Sequence, residues 1–132
     1  MNYEEQGRTN YFKVKDKSAL EEYAEKAQVV IDWEEDKAAL FADFGFQFQY
    51  EDEDTGEVED LDIVESAKEF LADGEVLVLQ SCGREGQRYV AGWTMACNNK
   101  GEMVSFDLDD IYEKAAQHFK VDLRSIGQAK PE

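Results

Sequence analysis

Three apolar runs set close together, Val76 to Gln80, Tyr89 to Cys97 and Glu102 to Asp107, constrain the fold more than any other feature of this chain. Gly83 to Gln87 separates the first two, and Asn98, Asn99, Lys100 and Gly101 separate the last two, a composition that favours tight turns. Connections this short leave no room for a crossover helix. The runs are therefore predicted to be antiparallel neighbours in a three-stranded meander. Asp107 can cap a following helix, whose Leu108, Ile111, Tyr112, Ala115 and Phe119 recur at helical spacing and are expected to face the core.

The preceding residues fit the same class. A short strand is predicted over Asn10 to Lys15, then a helix capped by Ser18 and Glu21 with Leu20, Tyr23, Ala24 and Ala27 as its buried stripe. Val29 to Trp33 and Ala38 to Ala42 flank an acidic break at Glu34 to Lys37 and are predicted to form a hairpin. Phe44, Phe46, Phe48 and Tyr50 alternate with Gly45, Gln47 and Gln49, which predicts a strand with one buried aromatic face and an edge that could pair in a homodimer. Asp54, Thr55 and Gly56 suit a turn, and Ile63, Val64, Ala67, Phe70 and Leu71 mark a second helix stopped by Asp73 and Gly74. The fold class expected is α+β: a mostly antiparallel sheet of hairpins and a C-terminal meander with about three helices. At 132 residues, 42% of them hydrophobic, one domain can bury its own core, with residues 1–8 and 122–132 expected to fray.

Charge is distributed unevenly over this fold. Residues 32–75 hold 17 acids against Lys37 and Lys68, a balance of −15 out of a net −17 for the whole chain. Residues 1–31 carry six acids and five bases, and residues 76–132 carry eight and seven. Crowded like charges destabilise a compact state unless a partner or counterions offset them, so the segregation points to a basic protein partner. The expected contact residues are Asp32, Glu34, Glu35, Asp36, Glu51, Asp52, Glu53, Asp54, Glu57, Glu59, Asp60 and Asp62. Direct binding of nucleic acid or anionic lipid is disfavoured, because phosphate recognition needs Lys and Arg. The polar N-terminal residues and the absence of a long apolar run lead to an expected cytoplasmic location.

Reactive chemistry is weakly signalled. His118 is the sole histidine and no nucleophile is tied to it by spacing. Cys82, read as lying at a glycine-bearing turn beside Arg84, is the alternative centre for a small enzyme or redox protein. In the hairpin register read here it faces Arg88 and lies too far from Cys97 to form a disulfide. Gly83 and Gly86 are not followed by the lysine and serine of a phosphate loop. The segment Glu51 to Asp62 has Gly56 at the sixth position of a twelve-residue calcium loop, but begins with Glu, ends with Asp and follows a predicted strand. No cofactor or metal is implied, and no catalytic residue is assigned.

The segments RTNYFKVKD (Arg8 to Asp16), LADGEVLVL (Leu71 to Leu79) and YVAGWTMACNNKGEMVSFDLDDIYEKA (Tyr89 to Ala115) resemble a family of small acidic proteins of unassigned function carried by phages, plasmids and integrative elements. The resemblance spans about Arg8 to Phe119 and rests on fold-forming segments, so it transfers no functional residue. It implies an accessory protein of a mobile element. The function expected on these grounds is counter-defence: binding and inhibiting a basic, nucleic-acid-binding host protein, such as a nuclease or a CRISPR or restriction component, by charge mimicry. An immunity-type inhibitor of a basic toxin shares that physics and differs only in partner.

Overall fold

The computed structural model describes residues 4–86 and 89–129. In chain order the elements are β1 (Glu4–Thr9), β2 (Phe12–Lys13), α1 (Lys17–Ala27), β3 (Val30–Glu34), β4 (Lys37–Ala42), β5 (Gln49–Glu51), β6 (Val58–Asp60), α2 (Ile63–Phe70), β7 (Leu77–Glu85), β8 (Tyr89–Cys97), β9 (Met103–Asp107) and α3 (Asp110–Phe119), followed by a 3-10 turn at Leu123–Ser125. This is an α+β fold. The main sheet runs β2-β4-β1-β7-β8-β9, with β3 on the outer side of β4, and every pairing is antiparallel. β5 and β6 form a separate two-stranded ribbon.

The pleat sorts the sheet into two faces. Thr9, Leu40, Ala42, Leu77, Leu79, Met95 and Cys97 point to one face, where α1 and α2 lay Leu20, Tyr23, Ala24, Ala27, Ile63, Ala67 and Phe70 over them. Phe70 is the hub. Its ring lies 5.8 Å from that of Phe12 and 6.0 Å from that of Tyr23, joining both helices to β2. Burying an aromatic or aliphatic side chain of this size contributes roughly 1.5–3 kcal/mol, so this layer carries most of the drive to fold.

Between β1 and β2 side chains take over from the backbone. Asn10 accepts from the Val78 N–H through Oδ1 at 2.8 Å and donates to the Val76 carbonyl through Nδ2 at 3.0 Å, prolonging the β1–β7 ladder where the strand breaks. Thr9 Oγ1, fully buried, accepts the Leu40 N–H at 2.8 Å and donates to the Asn10 carbonyl. That jog lets β4 pair with β1 through Phe41 and Ala42 and with β2 through Lys37 and Ala38.

Several sequence expectations are corrected. The first strand begins at Glu4, not Asn10, and occupies the middle of the sheet between β4 and β7, so residues 4–8 are not frayed. Its polar sequence tolerates this because Gly7 opens room for the Phe46 ring, whose nearest atoms would stand 2.9 Å from a Cβ there. Residues 44–48 are not a strand. Gly45 adopts φ +87° in a turn from Ala42, and the segment lies across the inner face, with Phe46 buried, Phe48 6.0 Å from the Trp93 ring and Phe44 87% exposed. The homodimer edge expected at Phe44 to Tyr50 is thereby lost, and Gln49–Glu51 pairs with β6 instead. Asp16, rather than Ser18, caps α1 by accepting the Ala19 N–H at 3.1 Å.

β7 is longer than expected and runs through Gly83 and Arg84 to Glu85. Cys82 consequently faces Gly92, not Arg88, and residues 87 and 88 lie outside the described residues. The largest correction concerns α3. Its N-cap is Asp109, without a side-chain cap bond, rather than Asp107, which closes the turn ahead of the helix: Asp107 Oδ1 accepts the Asp110 N–H at 3.1 Å while the Asp107 N–H donates to Asp110 Oδ2 at 2.8 Å. The stripe, however, is uncovered, with Leu108, Ile111 and Phe119 54%, 60% and 68% exposed and no buried residue in the helix. The chain leaves the sheet at its edge, where Tyr112 and Ala115 are partly buried, and among the described residues no further element covers the rest of the stripe.

Candidate acidic interface

The β5–β6 ribbon is built to present carboxylates. Gln49 to Glu51 pair with Val58 to Asp60, and the intervening turn closes through Asp52, whose Oδ1 accepts the Asp54 and Thr55 N–H groups at 2.8 and 3.2 Å. Gly56 turns with φ +72°, a conformation other residues adopt only under strain. Leu61 anchors the ribbon to the core, and Asp62 then caps α2 by accepting the Val64 and Glu65 N–H groups at 2.9 and 3.5 Å. Asp52 and Asp62 are thus occupied in holding the backbone, while the acids around them point outward.

Two grooves adjoin on this surface. One, of about 400 Å³, is lined by Glu51, Asp52, Glu53 and Asp54 with Gln47, Gln49 and Tyr50. The other, of about 580 Å³, lies between the helices and is lined by Glu22, Glu59, Asp60, Asp62, Glu65 and Glu69. Lys26 of α1 stands between them and is the one cation among the described residues lining either groove. Its Nζ lies 3.1 Å from Glu59 Oε2, 3.5 Å from Glu22 Oε1 and 5.7 Å from the Tyr50 ring centroid. The hydrogen bond to Glu59 is the largest influence raising the Lys26 pKa, opposed by desolvation and reinforced by the Glu59 and Glu22 charges.

Sequence reasoning grouped twelve acids, and the structure divides them. Glu51, Asp52, Glu53, Asp54, Glu59, Asp60 and Asp62 line the grooves, and Glu57 sits on the same ribbon. Asp32, Glu34, Glu35 and Asp36 line neither; they occupy the β3–β4 hairpin at the sheet edge. There Asp32 accepts a short hydrogen bond from the Tyr11 hydroxyl, the main cause of a raised Tyr11 pKa, and Glu34 faces Lys37 across the ladder. Glu22, Glu65 and Glu69 were missed. Glu22 lies outside the acidic segment, and its only sequence signal was the four-residue spacing to Lys26. Asp73 and Glu75 are engaged elsewhere, accepting from Asn99 Nδ2 and from the Lys13 N–H.

The remaining candidates separate in space. Cys82 and Cys97 are free thiols on opposite faces of the sheet, Cys82 exposed and Cys97 buried, with burial raising the Cys97 pKa. Cys82 lines a groove of about 790 Å³ on the outer face with Gln6, Gln80, Arg84, Thr94 and Leu108, and His118 is not among its lining residues. Among the described residues no group of three or more His, Cys, Asp or Glu is arranged to hold a metal ion, and no helix is long and apolar enough to cross a membrane. The calcium-loop segment follows strand β5 rather than a helix. Comparison with protein-family models, with curated proteins and with solved structures finds no match to this chain.

Proposed function

We propose that this protein binds a basic, nucleic-acid-binding protein of host defence and inhibits it by offering carboxylates in place of phosphates. The observation that carries the reading is the pair of adjoining acidic grooves, lined among the described residues by one cation, Lys26. Carboxylates fixed on a capped helix and a closed ribbon need no ordering when a partner's Lys and Arg arrive, and their summed field accelerates encounter. The resemblance to small acidic proteins of mobile elements supports host defence as the setting.

The test is capture of host proteins on the immobilised chain at low and high salt, followed by competition with duplex DNA. A supporting result is a basic protein that binds the chain and DNA mutually exclusively and is released by salt. The variant Glu53→Lys/Asp54→Lys/Asp60→Lys/Glu65→Lys spares the two capping aspartates and is expected to lose capture while keeping its far-UV circular dichroism. Undiminished capture by this variant would overturn the reading.

A further inference from the structure

We propose that β9 is the seam of a symmetric homodimer, in which two copies join their main sheets edge to edge in antiparallel register about Ser105. The inference does not depend on the acidic interface. It starts from the two edges of the sheet. β3 carries Asp32 and Glu34 and leads into Glu35 and Asp36, so two β3 edges would meet with like charges opposed. β9, Met103-Val104-Ser105-Phe106-Asp107, has no Lys, Pro or bulge to discourage pairing, and all five residues are exposed. Among the described residues no strand lies beyond it.

The hydrogen-bond parity of β9 fixes which residues are free. Leu108 donates its N–H to the Gly92 carbonyl at 2.8 Å, and the Glu102 carbonyl accepts from the Asn98 N–H at 3.2 Å, so the even-numbered residues turn their backbone groups toward β8. Alternation along an antiparallel strand then turns Met103, Ser105 and Asp107 outward. The Asp107 N–H is already held by Asp110, which leaves the N–H and carbonyl of Met103 and Ser105 and the carbonyl of Asp107.

A two-fold axis at Ser105 matches this set to itself. Ser105 exchanges both bonds with its counterpart, and each Met103 N–H meets the partner's Asp107 carbonyl, so the occupied Asp107 N–H is not required. Val104 falls opposite the second copy's Phe106 in the close, non-hydrogen-bonded positions, on a face where both are more than half exposed in the single chain. Such an isologous contact closes on two copies rather than growing into a filament. Charge favours this edge over the other for a second copy: β9 itself carries one acid, Asp107, against Asp32 and Glu34 in β3, so two −17 chains meet with less like-charge repulsion at β9. α3 flanks the seam, with Lys114 Nζ 5.9 Å from the Phe106 ring centroid and its apolar stripe open beside it.

The experiment is sedimentation equilibrium of the full chain and of Ser105→Pro, with hydrogen exchange of both. Proline at 105 removes an outward N–H and leaves the β8 ladder intact. The native chain is expected to dimerise, more tightly as salt screens its net charge, with the Met103 and Ser105 amides protected. Ser105→Pro is expected to raise the dimer dissociation constant at least about tenfold without lowering the melting temperature of the monomer. Phe106→Glu, which places a charge in the seam, serves if the proline variant does not fold. A native chain that stays monomeric at its highest soluble concentration, or a dimer unaffected by either substitution, overturns the proposal.

Discussion

The half of the molecule built from α1, α2 and the β5–β6 ribbon and the limb built from β9 and α3 solve the same problem in opposite ways. The first buries most of its apolar residues, Leu20, Tyr23, Ile63 and Phe70 among them, and loads its outside with acids, among which Lys26 is the one cation lining the grooves among the described residues. The second leaves Phe106, Leu108, Ile111 and Phe119 half or more exposed and belongs to a stretch, residues 76–132, that carries eight acids and seven bases. A surface meant only to stay in solution has no need of this division. The contrast teaches that charge and apolar exposure can be segregated within one small fold; of the two contacts proposed above, the first would be weakened by salt and the second strengthened by it.

The sharpest way to break the comparison is to truncate an aromatic on each side. Phe70→Ala is expected to destabilise the fold by about 3–5 kcal/mol, whereas Phe119→Ala, measured in the monomeric Ser105→Pro background, is expected to stay within roughly 0.5 kcal/mol by urea denaturation. Comparable losses would mean that α3 is packed after all. Next in size is Thr9→Val, which keeps the volume but strands the buried Leu40 N–H; a cost of about 1–3 kcal/mol is expected from the same denaturation curves. Asp62→Ala removes the cap of α2 beneath the acidic groove and should cost about 0.5–2 kcal/mol. If it costs nothing, Asp62 belongs with the outward acids rather than the scaffold.

The smallest effect is a pH dependence to which the covered half contributes through Tyr23. Burial, then the charge of Asp62, raises the Tyr23 pKa above its ordinary 10.0. The folded chain therefore holds this proton more tightly than the unfolded chain, so the associated stability is complete below pH 10.0 and declines as pH rises above it. Melting curves collected on either side of that pH should show the decline, and Tyr23→Phe should reduce it, leaving the parts contributed by Tyr11, Lys26 and Cys97, whose pKa values are raised as well. A decline undiminished in Tyr23→Phe would assign it to those groups instead.

Much of the scaffold could be read before the coordinates, and the reasons for the exceptions are physical. α2 and the meander were legible because apolar period and turn chemistry agreed there: Ile63, Ala67 and Phe70 at helical spacing ahead of Gly74, and Asn98 to Gly101 between β8 and β9. β1 was not, since Glu4 to Thr9 has no apolar alternation and becomes central through neighbours far along the chain, Phe46 and Ser81 among them. The period-two run at Phe44 misled because alternation says nothing about direction, and Gly45 turns the chain. The α3 stripe was read correctly as a stripe, but periodicity cannot say whether a covering layer exists. For the acidic surface, the charge segregation was visible while its division was not: whether a carboxylate faces out, as Glu53 does, or holds a turn, as Asp52 does, depends on bonds made after folding.

Asn10 has a consequence of a different kind. One side chain there acts as both donor and acceptor, to the Val76 carbonyl just before β7 and from the Val78 N–H within it, a task that an amide of that length performs and a carboxylate cannot. Spontaneous loss of ammonia at this position would set an oxygen against the Val76 carbonyl and begin to unzip the sheet from its middle. Asn10→Asp would make that exchange of atoms directly, and its effect should first be seen as faster exchange of the Val78 amide.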